Sequence, residues 1–133
     1  MKPNNKILLI CLCSLFLISC DPPHYIDFVN NSTSNAKVKI NLKPKFENYG
    51  FEKIAIGDSI IFNLKQKDTA NIEFGIGNWS DNEINETVKS IKNIEIKTED
   101  ITTIYKTEKA MKSILQNSRK GFIFKTKIEI EIK

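Results

Sequence analysis

A period of two runs through most of this chain and narrows the fold class more than any other feature. Ala36, Val38, Ile40 and Leu42 alternate with Lys37, Lys39 and Asn41. Ile60, Phe62 and Leu64 share one phase, and so do Ala70, Ile72, Phe74 and Ile76. The longest run lies near the C-terminus, where Phe122, Phe124, Thr126, Ile128, Ile130 and Ile132 alternate with Lys125, Lys127, Glu129 and Glu131. Successive side chains of a strand point to opposite faces, so each segment has one dry face and one wet face. Antiparallel sheets that cover a core on one side read this way.

Around these segments the chain reads as short strands separated by turn chemistry. Residues 25–30 form a first strand, and the Asn- and Ser-rich residues 30–35 form a polar turn. Residues 52–56 read as a short strand after an ambiguous stretch at 45–50. Gly57-Asp58 and Gln66-Lys67-Asp68 are breaks, and Pro44 ends a strand. Further strands are expected from Ile94 and over 101–106. Residues 77–90 are the least strand-like; Ser80 and Glu83 have capping-box spacing, which predicts a helical turn or two. The best helix covers 107–117, with Thr107 as cap and a stripe of Ala110, Met111, Ile114 and Leu115. Gly121 marks a break before the last strand, whose charged face is expected to be solvated and to resist edge pairing. The expected fold is mostly β: an antiparallel, immunoglobulin-like sandwich with one short helix before the last strand. An α+β sheet with that helix on one face is the alternative.

The N-terminus follows different rules. Lys2 and Lys6 precede an apolar run at 7–17 of about eleven residues, which suits a secretory leader of roughly 7–15 apolar residues. A membrane-spanning helix needs about 20. The run ends in Leu17-Ile18-Ser19-Cys20. Aliphatic, aliphatic, small, cysteine resembles the lipobox of bacterial lipoproteins. Cys11 and Cys13 follow the bulky Ile10 and Leu12, so Cys20 alone fits. The resemblance implies cleavage between Ser19 and Cys20, a thioether-linked diacylglycerol on Cys20, and an added acyl chain, such as palmitate, on its amine. Two or more chains hold a protein on a bilayer stably where one does not. The domain organisation expected is a signal peptide at 1–19, a lipidated tether at 20–23 and one β-rich domain at 24–133. The chain is also similar in its Lys, Asn and Ile bias to small lipoproteins of Bacteroidetes-type bacteria. The partner implied at Cys20 is the lipid bilayer, on the periplasmic side or at the cell surface. Asp21 after the cysteine resembles the inner-membrane retention signal of enterobacteria.

Asp21-Pro22-Pro23 is a short, stiff tether; at about 3.1 Å per residue it spans on the order of 10 Å. The domain is therefore expected to sit close to the membrane. Of the 133 residues, 114 remain after a leader of 19, near the commonest size for one domain. Loss of Lys2 and Lys6 lowers the formal charge from +4 to +2, which gives no argument for nucleic acid. All three cysteines lie at or before position 20, so acylation leaves no free thiol and no disulfide. His24 is the only histidine. A zinc site takes its ligands from several Cys and His, and a serine triad would have to use His24. No metal and no cofactor is expected.

Several constellations carry residue types that could do chemistry. Asp81, Glu83 and Asn85 have the 1-3-5 spacing of a calcium loop, but Glu86 replaces its glycine and Lys92 its final glutamate, so a solvated loop is expected. Gly75-Ile76-Gly77 lacks a third glycine and reads as a strand end that turns. Trp79, the lone tryptophan, is a candidate ligand or interface contact if its loop exposes it; packing into a core is the commoner use. Glu129 and Glu131 sit two apart among lysines, without the burial or like-charge crowding that raises a catalytic carboxyl. Asp58-Ser59-Ile60 and Asp68-Thr69-Ala70 resemble the O-glycosylation sequon of Bacteroidetes-type bacteria, making Ser59 and Thr69 candidate acceptors.

The expectation for function is a membrane-anchored, non-catalytic envelope lipoprotein that binds a protein or envelope component. An immunity-type lipoprotein that blocks a toxin is the alternative, and an envelope hydrolase is disfavoured by the near absence of His and Cys.

Overall fold

The computed structural model describes residues 21–133. The order of elements is β1 (Pro23–Asn30), β2 (Ala36–Leu42), α1 (Tyr49–Glu52), β3 (Ser59–Leu64), β4 (Thr69–Ile76), α2 (Asp81–Ser90), β5 (Ile91–Lys97), β6 (Thr102–Tyr105), α3 (Glu108–Asn117), β7 (Arg119–Lys120) and β8 (Lys127–Ile132). The strands form two four-stranded sheets, β4-β1-β8-β7 and β3-β2-β5-β6. Their apolar phases face each other in one core, in which Ile26, Phe28, Val38, Ile40, Ile60, Ile72, Ile94, Ile128 and Ile130 are buried. Phe28 of one sheet meets Phe62 of the other at 6.3 Å between ring centroids. The mostly β sandwich expected from the alternation is thus the fold the chain forms.

The chain changes sheets through residues 31–35 and 65–68, and buried Asn30 ties these two crossings together. Its side-chain amide donates to the carbonyls of Ser34, Leu64 and Lys65 at 2.8, 3.2 and 3.1 Å. Its Oδ1 accepts from the Ser32 hydroxyl at 2.7 Å.

One pairing departs from the antiparallel expectation. β1 and β8 run parallel, from Tyr25 opposite Lys127 to Asn30 opposite Ile132. β8 is therefore an interior strand, flanked by β1 and β7, and its charged face is not a free edge. Lys127 and Glu129 are half-buried there, and Lys127 Nζ lies 3.0 Å from the buried carboxylate of Asp27 and 2.7 Å from Glu129. Asp27 also accepts from Asn71 Nδ2 at 2.7 Å.

Three local expectations are corrected. Residues 52–56 are not a strand. Asn48 caps the short helix α1, accepting from the Phe51 N–H, and Phe51 is inserted fully into the core. Only Ile56 makes a strand-like bridge, to Ser59. The last strand begins at Lys127, not at Phe122. The parallel register would place Pro22 and Pro23 beside Phe124 and Lys125, and prolines have no N–H to continue the ladder. Finally, residues 81–90 form a ten-residue helix rather than a turn or two. Its capping box is complete: Ser80 Oγ accepts from the Glu83 N–H, and the Glu83 carboxylate accepts from the Ser80 N–H. The oxygen-rich cluster expected as a solvated loop is therefore the first turns of a helix, with Asp81, Glu83 and Asn85 spread around it. α3 matches expectation, with Thr107 Oγ1 accepting from the Ala110 N–H and with Met111 and Leu115 buried.

Candidate functional site

Ser19 and Cys20, the expected cleavage and lipidation residues, lie outside the described residues. The structure shows how residues 21–23, the expected tether, join the domain. β1 opens at Pro23, three residues after Cys20. The Gly77 N–H donates to the Pro22 carbonyl at 2.8 Å, so the tether is fastened to the end of β4. Gly77 has φ +96°, a turn geometry that suits glycine, as expected for a strand end that turns.

Trp79 is not an exposed contact. It is 3% exposed, with its indole N–H donating to the Tyr25 carbonyl at 3.2 Å. Its ring packs against His24 at 4.6 Å and Phe74 at 5.1 Å between centroids. The strand end of β4 folds back through Gly77, and this return carries the ring inward. Trp79 instead braces the neighbouring loop, because its backbone N–H donates to the Lys125 carbonyl at 2.9 Å. His24 is buried beneath it, with Nε2 3.8 Å from Glu83 Oε1, beyond hydrogen-bond length. Together with Glu47, Tyr49 and Glu86 these side chains border a cleft of about 260 Å³.

Glu83, Glu129 and Glu131 are engaged by neighbouring donors and lysines. Burial works against ionisation of Glu83, but hydrogen bonds from the Ser80 N–H and hydroxyl, then the charge of His24, hold its carboxyl below the ordinary value. Glu129 is likewise held low, chiefly by the hydrogen bond from Lys127. Glu131 faces Lys120 at 3.6 Å and Lys133 at 3.4 Å. Lys127 is raised by its hydrogen bonds to Glu129 and then Asp27. Among the described residues no three His, Cys, Asp or Glu side chains converge as a metal-binding group.

A broad, shallow concavity lies at the other end of the sandwich. It has a volume of about 540 Å³, within the roughly 300–1,000 Å³ of small-molecule and cofactor sites. Its lining includes Ala36 and Leu64 with Lys37, Lys65 and Lys97. The register sets Lys37 opposite both Asn63 and Lys97, so two of the lysines come from adjacent strands. None of the three makes an ion pair with a carboxylate among the described residues, and Glu99 is the acid on the rim. The buried Asn30 amide holds the Leu64 and Lys65 carbonyls behind it. Because Asn30 ends β1, seven residue steps of about 3.3 Å, or about 23 Å, separate this cleft from the tether.

Sequence reasoning did not find this cleft. Positions 37, 65 and 97 share no local pattern; the β2–β5 register and the turn that follows β3 gather them. Of the candidate glycan acceptors, Ser59 opens β3 and is half-buried, while Thr69 opens β4 and is exposed. They lie at opposite ends of their strands' common axis and do not form one site. Comparison with protein-family models, curated protein sequences and solved structures gives no match to this chain.

Proposed function

We propose that this protein is a lipid-anchored, non-catalytic binding module of the bacterial envelope. In this reading acyl chains on Cys20 hold the domain against the bilayer, and the far end of the sandwich meets a protein or envelope component carrying negative charge. The observation that carries it is the polarity of β1: its first residue adjoins the tether and its last residue supports a cleft bordered by three lysines that make no ion pair among the described residues. A rigid eight-residue strand separates anchor from cleft, and the tether is too short to let the domain turn over freely. Apolar floor with cationic rim suits an acidic, partly apolar ligand, and rim charges act mainly on association rate and partner choice.

The test uses the full chain in its native membrane. Metabolic lipid labelling and membrane partition are expected to be lost in Cys20→Ala and kept in Lys37→Glu/Lys97→Glu. Partners captured by crosslinking from the wild type are expected to be lost in the charge-reversed variant. Capture of the same partners by that variant removes the cleft from the reading, and membrane partition of Cys20→Ala at the wild-type level removes the anchor.

A further inference from the structure

The largest exposed apolar side chains include a consecutive trio: Phe122 is 100% exposed, Ile123 74% and Phe124 57%. They form the tip of the loop between β7 and β8. Among the described residues none of the three belongs to the core or packs against it. Their place in the fold is set by three backbone hydrogen bonds. Tyr25 N–H donates to Thr126 at 3.0 Å, Trp79 N–H to Lys125 at 2.9 Å, and Gly77 N–H to Pro22 at 2.8 Å. The parallel β1–β8 pairing then requires residues before Lys127 to lie at the same end as residues before Tyr25. The trio therefore projects beside the tether. Ile76, 70% exposed, pairs with Pro23 and joins them at that end.

We infer that Phe122, Ile123 and Phe124 enter the lipid bilayer as a second, non-covalent membrane contact next to the acylated Cys20. The inference rests on the lipid-anchor reading above. Three observations choose a bilayer as the occupant. First, three residues from Cys20 to the first strand residue leave on the order of 10 Å, so this end lies at the lipid surface whenever the acyl chains are inserted. Second, the trio forms the tip of a loop rather than a groove, as an inserting element must; aromatic side chains favour the interfacial zone. Third, exposed Lys125 flanks the trio and makes no ion pair among the described residues, so its ammonium can reach the interface beside an inserted segment.

The loop is built to hold this pose. Gly121 has φ +126°, and a Cβ there would collide with the Phe124 carbonyl, so the turn closes tightly behind the trio. The stem on the other side is fixed through Lys125 and Thr126 to the buried Trp79 and to β1. The tip is thus presented on a rigid base, and the contact would fix the orientation of the domain as well as its distance.

Ile123→Cys gives a single reactive thiol in the acylated protein, since Cys20 is consumed by lipidation. The purified, lipidated full chain carries an environment-sensitive fluorophore at this position and is reconstituted into protein-free vesicles containing brominated lipids. The control carries the label at Ile61→Cys, on the outer face of β3. The expected result is a blue shift and strong quenching at position 123, with a polar, unquenched label at position 61. A protein that floats with the vesicles and has acyl chains by mass, yet shows an unquenched label at 123, overturns the insertion and leaves the anchor standing. A protein that has no acyl chains and does not float overturns both. A label shielded only in native membranes, and not in protein-free vesicles, puts a protein on the patch and overturns insertion. Phe122→Ser/Phe124→Ser in the labelled protein is expected to abolish the quenching while flotation persists.

Discussion

Asn30 shows how one buried side chain can hold two crossings of a sandwich. It is fully buried, and it supplies N–H groups to three carbonyls and an oxygen to Ser32. Truncation to Ala would leave several buried polar groups without partners, each costing about 1–3 kcal/mol when unsatisfied. Asn30→Ala is therefore expected to destabilise the fold by about 2–4 kcal/mol in chemical denaturation, with loss of order at the lysine cleft. A loss below about 0.5 kcal/mol, the usual size for surface changes, would mean that the crossings hold without it. Gly121 makes a complementary point. Its positive φ and the nearby Phe124 carbonyl leave no room for a side chain, so Gly121→Ala is expected to cost about 1–3 kcal/mol in thermal or chemical unfolding. Neither role is legible in the sequence. Asn30 begins a polar run that reads as an ordinary turn, and its partners at Leu64 and Lys65 are visible only once the strands are placed. His24 illustrates the same limit: the sequence places it at the start of the β domain, but its burial under Trp79 shows only in the fold.

Elements carry the pH dependence. The carboxyl of Glu83 titrates below its ordinary value in the folded protein, despite its partial burial, because Ser80 hydrogen-bonds to the charged form. A folded-state pKa below the unfolded one means that ionisation favours folding. The contribution is present above the unfolded value of about 4.3 and is lost as pH falls through the lowered one. Glu129, held low first by Lys127, acts in the same direction. The wild type is thus expected to lose stability on acidification below about pH 4. Glu83→Gln, which keeps a capping group at the third helical position, is expected to show a shallower acid slope in denaturation midpoints. An unchanged slope would remove Glu83 as a contributor. Lys127 raises a different issue, because it neutralises the buried Asp27. Lys127→Ala is expected to cost about 1.5–3 kcal/mol, the usual worth of hydrogen bonds to charged groups, since Asp27 keeps only its bond from Asn71. The alternation revealed the strands themselves, because burial on one face leaves a period of two. It does not record which strand is the neighbour, so the parallel partner of β8 and the half-burial of its lysine and glutamate stayed hidden. It also misled at Phe122 and Phe124, which continue the phase of Ile128 past the point where the register meets Pro22 and Pro23.

At the scale of the whole molecule, the decisive fact is that the first and last described strands are neighbours in the interior of one sheet. Tyr25 and Lys127 pair across 102 residues of chain. β8 supplies Ile128, Ile130 and Ile132 to the core, all at most 5% exposed, and separates β1 from β7. The four-stranded sheet around β1 cannot form until β8 arrives, and such non-local pairing makes mostly β domains fold in milliseconds to seconds, not microseconds. β1 can pair with β4 earlier, but its other edge stays open until β8 has been made. This predicts a sharp dependence on the last strand. Removal of residues 127–133 withdraws three buried isoleucines, each deletion of which would cost about 2–5 kcal/mol alone, from a domain whose total stability is about 5–15 kcal/mol. The truncated chain is expected to lose its cooperative thermal transition by circular dichroism and to bind a hydrophobic dye. Removal of Lys133 alone, exposed and paired only with Glu131, is expected to leave the transition within about 0.5 kcal/mol of the wild type. A cooperative transition in the chain lacking β8 would show that the β3-β2-β5-β6 sheet and the helices form a stable unit by themselves, and that the parallel pairing of the two ends adds to the sandwich without closing it.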